Sequence, residues 1–277
     1  MGVALTKPDP TWRKNMIAGL LRGQRPDGSF GVHPYAKWTG AHWRLVSLVE
    51  LGIPPTNRAA KAAANTVLDW LANPRRAAVV IKGLDRRHAS MEGNALAVCC
   101  RLGMATEPRV RHLADLLLGA QWPDGGWNCD RDPAAHRSSF HESLAPIWGL
   151  VEYHRASGDG HSLQAAQRAG ELVLEHRVFR STRTGEAIHP EWLHIHWPHY
   201  WHYDFFHGLR ALAMLGRHSD LRASDARQLL IDKRRKDGTW RAGGHRYWRL
   251  KGGATVEAVN WSDASRIVTP AARAMLQ

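Results

Sequence analysis

The sequence predicts an all-α protein, an (α/α) toroid of five to six helical hairpins around a central cavity. Runs with helical periodicity recur along all 277 residues, and an Asp-Gly turn that ends in an aromatic residue occurs three times. Apolar residues make up 44% of the chain and charged residues 23%, which is enough apolar material for a substantial core. A closed array of repeats reaches this length without dividing, so residues 1–277 are expected to form one domain.

The three turn motifs are predicted to join paired helices. They read Gln24–Phe30, Gln121–Trp127 and Lys236–Trp240, at a spacing of about 100 residues, or two hairpins. Glycine accepts a positive φ and aspartate bonds its own backbone, so Asp-Gly favours a tight turn, and the aromatic fills the gap between hairpins. Hairpins that bury their apolar faces only against neighbours can curve into a ring, and an open solenoid is the alternative.

The predicted helices follow from apolar residues spaced three and four apart. In chain order they cover residues 40–51, 59–71, 93–102, 110–118, 139–154, 162–174, 203–215, 223–231 and 264–276.

The chain is rich in Trp (13) and His (17) and carries a formal charge of +13. The aromatic and imidazole content favours aromatic-lined pockets and metal or acid/base chemistry. The positive charge is typical of proteins that meet a diphosphate, a nucleic acid or a lipid head group. The densest basic run, Lys233–Lys236, is short and no nucleic-acid motif accompanies it. A solvated basic surface is therefore favoured over nucleic-acid binding.

Cysteine usage and hydropathy predict a cytoplasmic location. Only Cys99, Cys100 and Cys129 occur, and the first two are adjacent, which argues against a disulfide framework. No apolar run approaches the roughly 18 residues that span a bilayer. The segment 1–5 lacks a signal-peptide pattern.

The turn motifs also carry a resemblance. Gln24–Phe30 and Gln121–Trp127 resemble the Gln/Trp repeats of squalene-hopene and oxidosqualene cyclases, and the chain is similar to one α/α-barrel domain of the squalene/terpene cyclase and protein prenyltransferase superfamily. The resemblance implies a hydrophobic funnel whose working end lies at the N-termini of the inner helices. Triterpene cyclases carry a second domain and an Asp-x-Asp-Asp cluster, which Asp130-Arg131-Asp132 does not match, so squalene-type protonation is disfavoured.

The chain also resembles the β subunit of protein farnesyl- and geranylgeranyltransferases, a single barrel with a catalytic zinc. There, Asp and Cys at one inner-helix start and His at the next hold the metal. The matching starts here are residues 137–143 and 199–204, where Phe140-His141-Glu142 replaces Asp-x-Cys and His202 lies one position out of register with respect to Gly208. The resemblance implies a zinc site with altered ligands.

Cys129, His141 and His202 are the candidate ligands of a catalytic Zn²⁺, which takes three protein ligands and leaves a fourth position open. A buried thiol and structural histidines are the alternative. Glu142, Asp204 and His202 are the candidate catalytic residues, because a carboxyl group that faces an apolar cavity has its pKa raised. The alternative for both acids is an interaction with the helix dipole.

The segment 189–202 holds five His and three Trp, and two prolines predict a loop at the cavity mouth. His194, His196 and His199 are further possible ligands. Aromatic faces can hold a carbocation or a flat apolar molecule, although packing between hairpins is the alternative. The candidate substrate-binding residues are Trp38, His42, Trp127, Trp197, Tyr200, Trp201 and Tyr203.

These features favour a terpene cyclase- or prenyltransferase-like enzyme that acts on an isoprenoid or other hydrophobic substrate, with zinc as the candidate cofactor. Prenyl transfer to a protein thiol would require a partner subunit, so a small-molecule reaction is favoured. Two alternatives remain: a noncatalytic toroid that binds a hydrophobic ligand or a protein, and a zinc-dependent hydrolase or lyase on the same barrel.

Overall fold

A computed structural model describes residues 10–73, 76, 79–243 and 257–277. The segment 1–5, which lacks a signal-peptide pattern in the sequence, lies outside these ranges. The helices are α1 Pro10–Leu21, α2 Ala41–Glu50, α3 Arg58–Leu71, α4 Ala89–Arg101, α5 Pro108–Gly119, α6 Phe140–Ser157, α7 Gly160–Glu175, α8 Phe205–Met214, α9 Ser224–Asp232 and α10 Ser265–Leu276.

The prediction of an all-α protein is confirmed. All nine predicted helices are present, with boundaries within four residues of the prediction, and α1 is additional. The two strands of the described chain, β1 (Val80–Ile81) and β2 (Leu84–Asp85), form a small antiparallel hairpin in which Val80 pairs with Asp85. Two 3₁₀ helices cover Pro190–Leu193 and Leu221–Ala223.

The helices fall into two alternating sets. The core helices α2, α4, α6, α8 and α10 contact one another in succession, α2 with α4, α4 with α6, α6 with α8, and α8 with α10. The flanking helices are α1, α3, α5, α7 and α9. The flanking helices α3, α5 and α7 each contact the core helices before and after them. In this arrangement, each flanking helix can bury its apolar face against the neighbouring core helices.

The three Asp-Gly motifs form turns of one type at the ends of α1, α5 and α9. Gly28, Gly125 and Gly238 each have a positive φ. Each glycine N–H donates to the carbonyl oxygen three residues earlier, at 2.9 Å in all three turns. Each turn redirects the chain from a flanking helix toward a core helix.

A glutamine side chain ties two of these turns to a later helix. Gln24 Nε2 donates to the Gly28 carbonyl at 3.0 Å and to the Ala59 carbonyl in α3 at 2.8 Å. Gln121 Nε2 donates to Gly125, and also to the Ala165 carbonyl in α7 at 2.8 Å. Each glutamine therefore connects its turn to the flanking helix beyond the next core helix.

A second repeat, Leu-Gly, returns the chain from core to flanking helices. Gly52, Gly103 and Gly216 follow α2, α4 and α8 with φ of 69°, 70° and 71°. The N–H of the next residue donates to the carbonyl oxygen five residues earlier, at 3.0, 2.9 and 2.8 Å. This is the Schellman arrangement, in which a left-handed glycine satisfies the last helical carbonyls.

Two glycines let α4 and α6 pack closely. A Cβ on Gly93 would lie 2.4 Å from the backbone N of Pro146, and one on Gly149 would lie 2.5 Å from the Gly93 carbonyl oxygen. Side chains are absent at the contact, so the two backbones meet. Their N-terminal ends consequently lie side by side.

Two contacts join early helices of the series to late ones. The Arg210 guanidinium in α8 bonds both carboxylate oxygens of Glu50 in α2, at 3.0 and 2.8 Å. Arg266 in α10 stacks over the Trp12 ring in α1 at 5.7 Å. The space enclosed between α2, α6 and α8 measures about 20 Å³, roughly the volume that one water molecule needs.

In the ranges that the structure describes, no helix combines the length and the apolar character required to cross a bilayer.

Candidate functional site

The predicted site residues collect around the N-terminal ends of α4, α6 and α8, in two neighbouring groups. The first group surrounds an aromatic cavity, and the second is a cluster of one histidine, one cysteine and one glutamate.

The aromatic cavity has a volume of about 370 Å³. This volume lies in the range of about 300–1,000 Å³ that is typical of small-molecule sites. The cavity brings together five residues predicted from the sequence: Trp38, His141, Trp201, His202 and Tyr203. The remaining lining residues are Lys37, His189, Glu191 and Trp192.

Lys37 supplies a positive charge to the cavity. Its ammonium group lies 5.4 Å from the centre of the Trp38 ring and 5.3 Å from that of Trp201. Both distances are within the range of cation–π attraction, which holds the ammonium between the two aromatic walls.

His141, in the first turn of α6, presents a neutral imidazole. Its Nδ1 accepts a hydrogen bond from the backbone N–H of Tyr203 at 2.8 Å, so its Nε2 carries the ring proton. Burial lowers the pKa of His141 to about 4.

His202 lies across the cavity wall from His141. The two ring centres are 6.2 Å apart, and the His202 ring stacks on Trp201 at 3.9 Å. Burial, followed by the nearby His141, lowers the pKa of His202 to about 3. The cavity therefore holds two imidazoles that are uncharged at neutral pH.

Asp204 is fully buried behind the cavity and caps α8. Its Oδ1 accepts from the His207 N–H at 2.9 Å, and its Oδ2 accepts from the backbone N–H and the Nδ1 of His196, at 3.0 and 3.2 Å. Burial raises the pKa of Asp204. The His196 Nε2 lies 3.6 Å from the carboxylate of Glu191, which lines the cavity. His196 thus lies between Asp204 and Glu191, which lines the cavity.

Two predicted substrate-binding residues lie behind the cavity lining. The Tyr200 ring stacks on Trp38 at 4.5 Å with a 3° angle between planes, and its hydroxyl donates to Glu257 at 2.8 Å. His42 is 1% exposed and packs edge-on against Trp70 at 5.9 Å. Tyr200 therefore supports the cavity wall at Trp38, whereas the ring partner of His42, Trp70, is not a lining residue.

Trp127 and Trp197 are packing residues. The Trp127 indole N–H donates to the Leu117 carbonyl at 2.9 Å, and Trp240 makes the same bond ten residues back, to Leu230, at 2.7 Å. Trp127 and Trp240 therefore each bond back to the flanking helix that precedes their turn. Trp197 is 2% exposed and lies beneath the Arg210 guanidinium at 5.3 Å.

The second group is the His88–Cys129–Glu142 cluster, whose ligand atoms all lie within 4.8 Å of one another. The Cys129 Sγ donates to Glu142 Oε1 at 3.4 Å, and His88 Nδ1 lies 3.7 Å from the same oxygen. The other oxygen, Oε2, accepts from the Ser90 N–H at 2.8 Å. His88 directly precedes α4, Cys129 lies in the loop after α5, and Glu142 lies in the first turn of α6.

Hydrogen bonds within the cluster shift two pKa values. The Cys129 sulfur and the Glu142 carboxylate raise the pKa of His88 to about 10. Burial of Glu142 opposes its ionisation, but hydrogen bonds from His88 and Ser90 outweigh burial and hold its pKa below the ordinary value.

Of the three zinc ligands expected from the sequence, Cys129, His141 and His202, the cluster contains Cys129 alone. Cys129 meets Glu142 and His88, whereas His141 and His202 face the aromatic cavity. Consecutive helical residues point about 100° apart, so His141 and Glu142 cannot face the same side of α6. The donor set of the cluster, one imidazole, one thiol and one carboxylate, nevertheless matches the ligands that zinc takes.

The sequence prediction omitted His88, Lys37 and Glu191. A usable signal exists for His88: it is the residue immediately before a core helix, the position that Ser139 and Asp204 hold before α6 and α8. Lys37 and Glu191 lie outside the long helices, where periodicity gives no orientation.

No protein-family model, curated protein or solved structure matches this chain.

Proposed function

We propose that this chain is an enzyme that binds a hydrophobic, isoprenoid-like small molecule in the aromatic cavity and transfers protons to or from it. The observation that carries the proposal is the 370 Å³ cavity itself, in which aromatic walls, one cation and two neutral imidazoles converge. Concave, mostly apolar sites with a few placed polar groups are the usual form of small-molecule sites.

The proposal includes a closed ring of hairpins. The Glu50–Arg210 pair links α2 to α8, and the Trp12–Arg266 contact links α1 to α10, which supports closure of the helical series. In such a ring, the N-terminal ends of all core helices share one rim, where their partial positive charges favour an anionic group.

The cavity walls fit an unsaturated apolar chain. Trp38, Trp192 and Trp201 offer π faces, which attract electron-deficient carbon as well as apolar surface. Lys37 lies between two of these rings and can meet an anionic end such as a diphosphate. A prenyl diphosphate satisfies both features.

The proton-transfer role falls to the imidazoles and to Glu191. With pKa values of about 4 and 3, His141 and His202 are weak bases that can take a proton from a strong acid such as a carbocation formed on the substrate. Proton transfer by a positioned side chain typically contributes about 10²–10⁴-fold to a rate. Asp204 acts as a positioning residue, because its bond to the Nδ1 of His196 orients that ring toward Glu191.

Binding can be measured from the tryptophan fluorescence of the whole protein during titration with farnesol and with farnesyl diphosphate. Trp201→Ala is expected to weaken both ligands at least about tenfold, because a large aromatic wall is lost. Lys37→Ala should weaken the diphosphate and leave the alcohol unchanged. Trp12→Phe, on α1, is the control, because it removes an indole that does not line the cavity and keeps an aromatic ring beside Arg266. Equal affinity in the wild type and Trp201→Ala would contradict the proposed site.

Turnover can be followed by mass spectrometry of the products formed from prenyl diphosphates and squalene. His202→Ala is expected to reduce the rate about 100-fold or more while the affinity changes little. Binding without any product would instead favour a noncatalytic receptor, for which His202 is dispensable.

A further inference from the structure

We propose that His88, Cys129 and Glu142 form a mononuclear binding site for a divalent, zinc-type metal ion. The ligand set differs from the one expected on the sequence, and the site does not depend on what the aromatic cavity binds.

Three separate chain segments bring the donor atoms together. His88 comes from the start of α4, Cys129 from the α5–α6 loop and Glu142 from α6. A zinc ion lies about 2.0–2.3 Å from its donors, which places donors about 3.3–3.8 Å apart around a tetrahedral ion. Two of the separations here fall in that range, 3.4 Å for sulfur to carboxylate and 3.7 Å for imidazole to carboxylate, and the sulfur and the imidazole donor lie within 4.8 Å of each other.

The glutamate is fixed by a hydrogen bond outside the donor set. Its Oε2 accepts from the Ser90 N–H at 2.8 Å, which leaves Oε1 directed at the cysteine and the histidine. Hydrogen bonds of this kind orient metal ligands and raise affinity.

The loop that carries the cysteine is also anchored to α6. The Trp127 N–H donates to Ser143 Oγ at 3.1 Å, and the Ser139 N–H donates to the Trp127 carbonyl at 2.8 Å. Asn128 Nδ2 donates to the Arg137 carbonyl at 2.8 Å. These bonds hold the residues before Cys129, so its thiol is positioned before any ion arrives.

The chemistry of the donors selects the metal. A thiolate favours zinc-type ions over magnesium and calcium, which prefer oxygen. Metal binding would displace two protons to solvent, one from the Cys129 thiol and one from the His88 imidazolium. The resulting thiolate, carboxylate and neutral imidazole balance the charge of a divalent ion. The His88 side chain is 52% exposed, so solvent or substrate can reach a fourth position, as in catalytic zinc sites. A zinc ion with an open position supplies Lewis acidity.

The competing explanation is a metal-free polar network in which the thiol and the imidazole simply bond to the carboxylate. The two explanations differ in one measurable respect. A metal site binds one ion through sulfur, whereas a polar network binds no ion through Cys129.

Titration of the chelator-treated, full-length protein with Co²⁺ alone tests the site. One equivalent should produce a thiolate-to-cobalt charge-transfer band in the near ultraviolet, together with the visible bands of tetrahedral cobalt. Cys129→Ser should abolish the charge-transfer band. His88→Ala and Glu142→Gln should weaken cobalt binding at least about tenfold.

Matched controls use residues outside the cluster. Cys100→Ala removes a thiol buried in α4, and His136→Ala removes an exposed histidine in the α5–α6 loop; both should retain the spectrum. Circular dichroism checks folding, and His88→Ala decides the question if Glu142→Gln unfolds, because His88 is exposed.

A wild-type spectrum without the charge-transfer band, or a band that persists in Cys129→Ser, would overturn the metal site. Binding of farnesol is measured separately, so failure of the cobalt test leaves the proposed cavity function standing, and the reverse also holds.

Discussion

Glu257 shows how one buried residue couples stability to pH. Burial raises its pKa to about 7, although the Tyr200 hydroxyl that donates to it at 2.8 Å acts in the opposite direction. The folded protein therefore retains a proton that the unfolded chain releases near the ordinary value of 4.5. Folding stability should fall as the pH rises from about 4.5 through about 7, and should then become constant.

Glu257→Gln should remove this component of the pH dependence. The free energy of unfolding of the wild type, relative to the variant, is expected to fall by about 1–3 kcal/mol between pH 5 and pH 8. Urea unfolding at both pH values measures it, and Glu186→Gln, at an exposed site, is the control. Parallel pH profiles for the wild type and Glu257→Gln would contradict the prediction.

The sequence indicated which residue types gather at the core-helix starts but not which way each side chain points. Five of the predicted residues line the cavity, because short helix starts rich in His, Trp and Tyr are visible in the sequence. His141 points to a different side of α6 from its neighbour Glu142, and its imidazole accepts from the Tyr203 N–H, 62 residues away. Contacts at such separations leave no local pattern.

At the scale of elements, the close packing of α4 on α6 determines where the cluster forms. It requires that no side chain intervene at Gly93, because a Cβ there would overlap the Pro146 nitrogen and the Ala145 carbonyl group. Since His88 and Glu142 extend from these two helices, separating the helices would also separate the two ligands.

Gly93→Ala should therefore destabilise the fold by at least about 2 kcal/mol, because overpacking forces the backbones apart. Gly119→Ala, where a Cβ meets nothing within 4 Å, is the matched helical control and should change stability by less than about 1 kcal/mol. Denaturant unfolding compares the two variants. Similar stabilities would show that α4 and α6 can separate at little cost.

Helix prediction succeeded in segments where many apolar residues recur at helical spacing and failed in segments with few of them. Residues 139–154 and 162–174 were predicted because many apolar positions repeat, and α6 and α7 cover them. The missed helix α1 buries only Met16 and Leu20, too few to mark a face. Strands β1 and β2 have two residues each, which is too short for an alternation of apolar and polar residues to be recognised in the sequence.

For the whole molecule, the Glu50–Arg210 pair joins helices that are 160 residues apart in sequence. The side chains are 11% and 22% exposed, so water screens them incompletely. The local motifs predicted the helices in succession, but a pair at this separation is set by tertiary packing, so no local pattern indicated it.

Glu50→Gln should cost about 3 kcal/mol of unfolding free energy, because it leaves the Arg210 charge without its carboxylate. Asp69→Asn is the control: it disrupts the ion pair with Arg109, in which the Asp69 side chain is 72% exposed, and should cost less than about 1 kcal/mol. Thermal or chemical unfolding measures both. Equal costs would mean that the pair contributes little to joining α2 and α8.

The glutamines at the Asp-Gly turns extend the range of cooperativity along the chain. In a simple repeat array, each hairpin responds only to its immediate neighbours. Gln121 Nε2 donates one hydrogen bond to the Gly125 carbonyl in its own turn and another to the Ala165 carbonyl in α7. Fraying of α7 would break the second bond and so loosen the side chain that closes the turn ahead of α6. Amide hydrogens of α5, α6 and α7 should consequently exchange with solvent as one block of three helices, and not hairpin by hairpin.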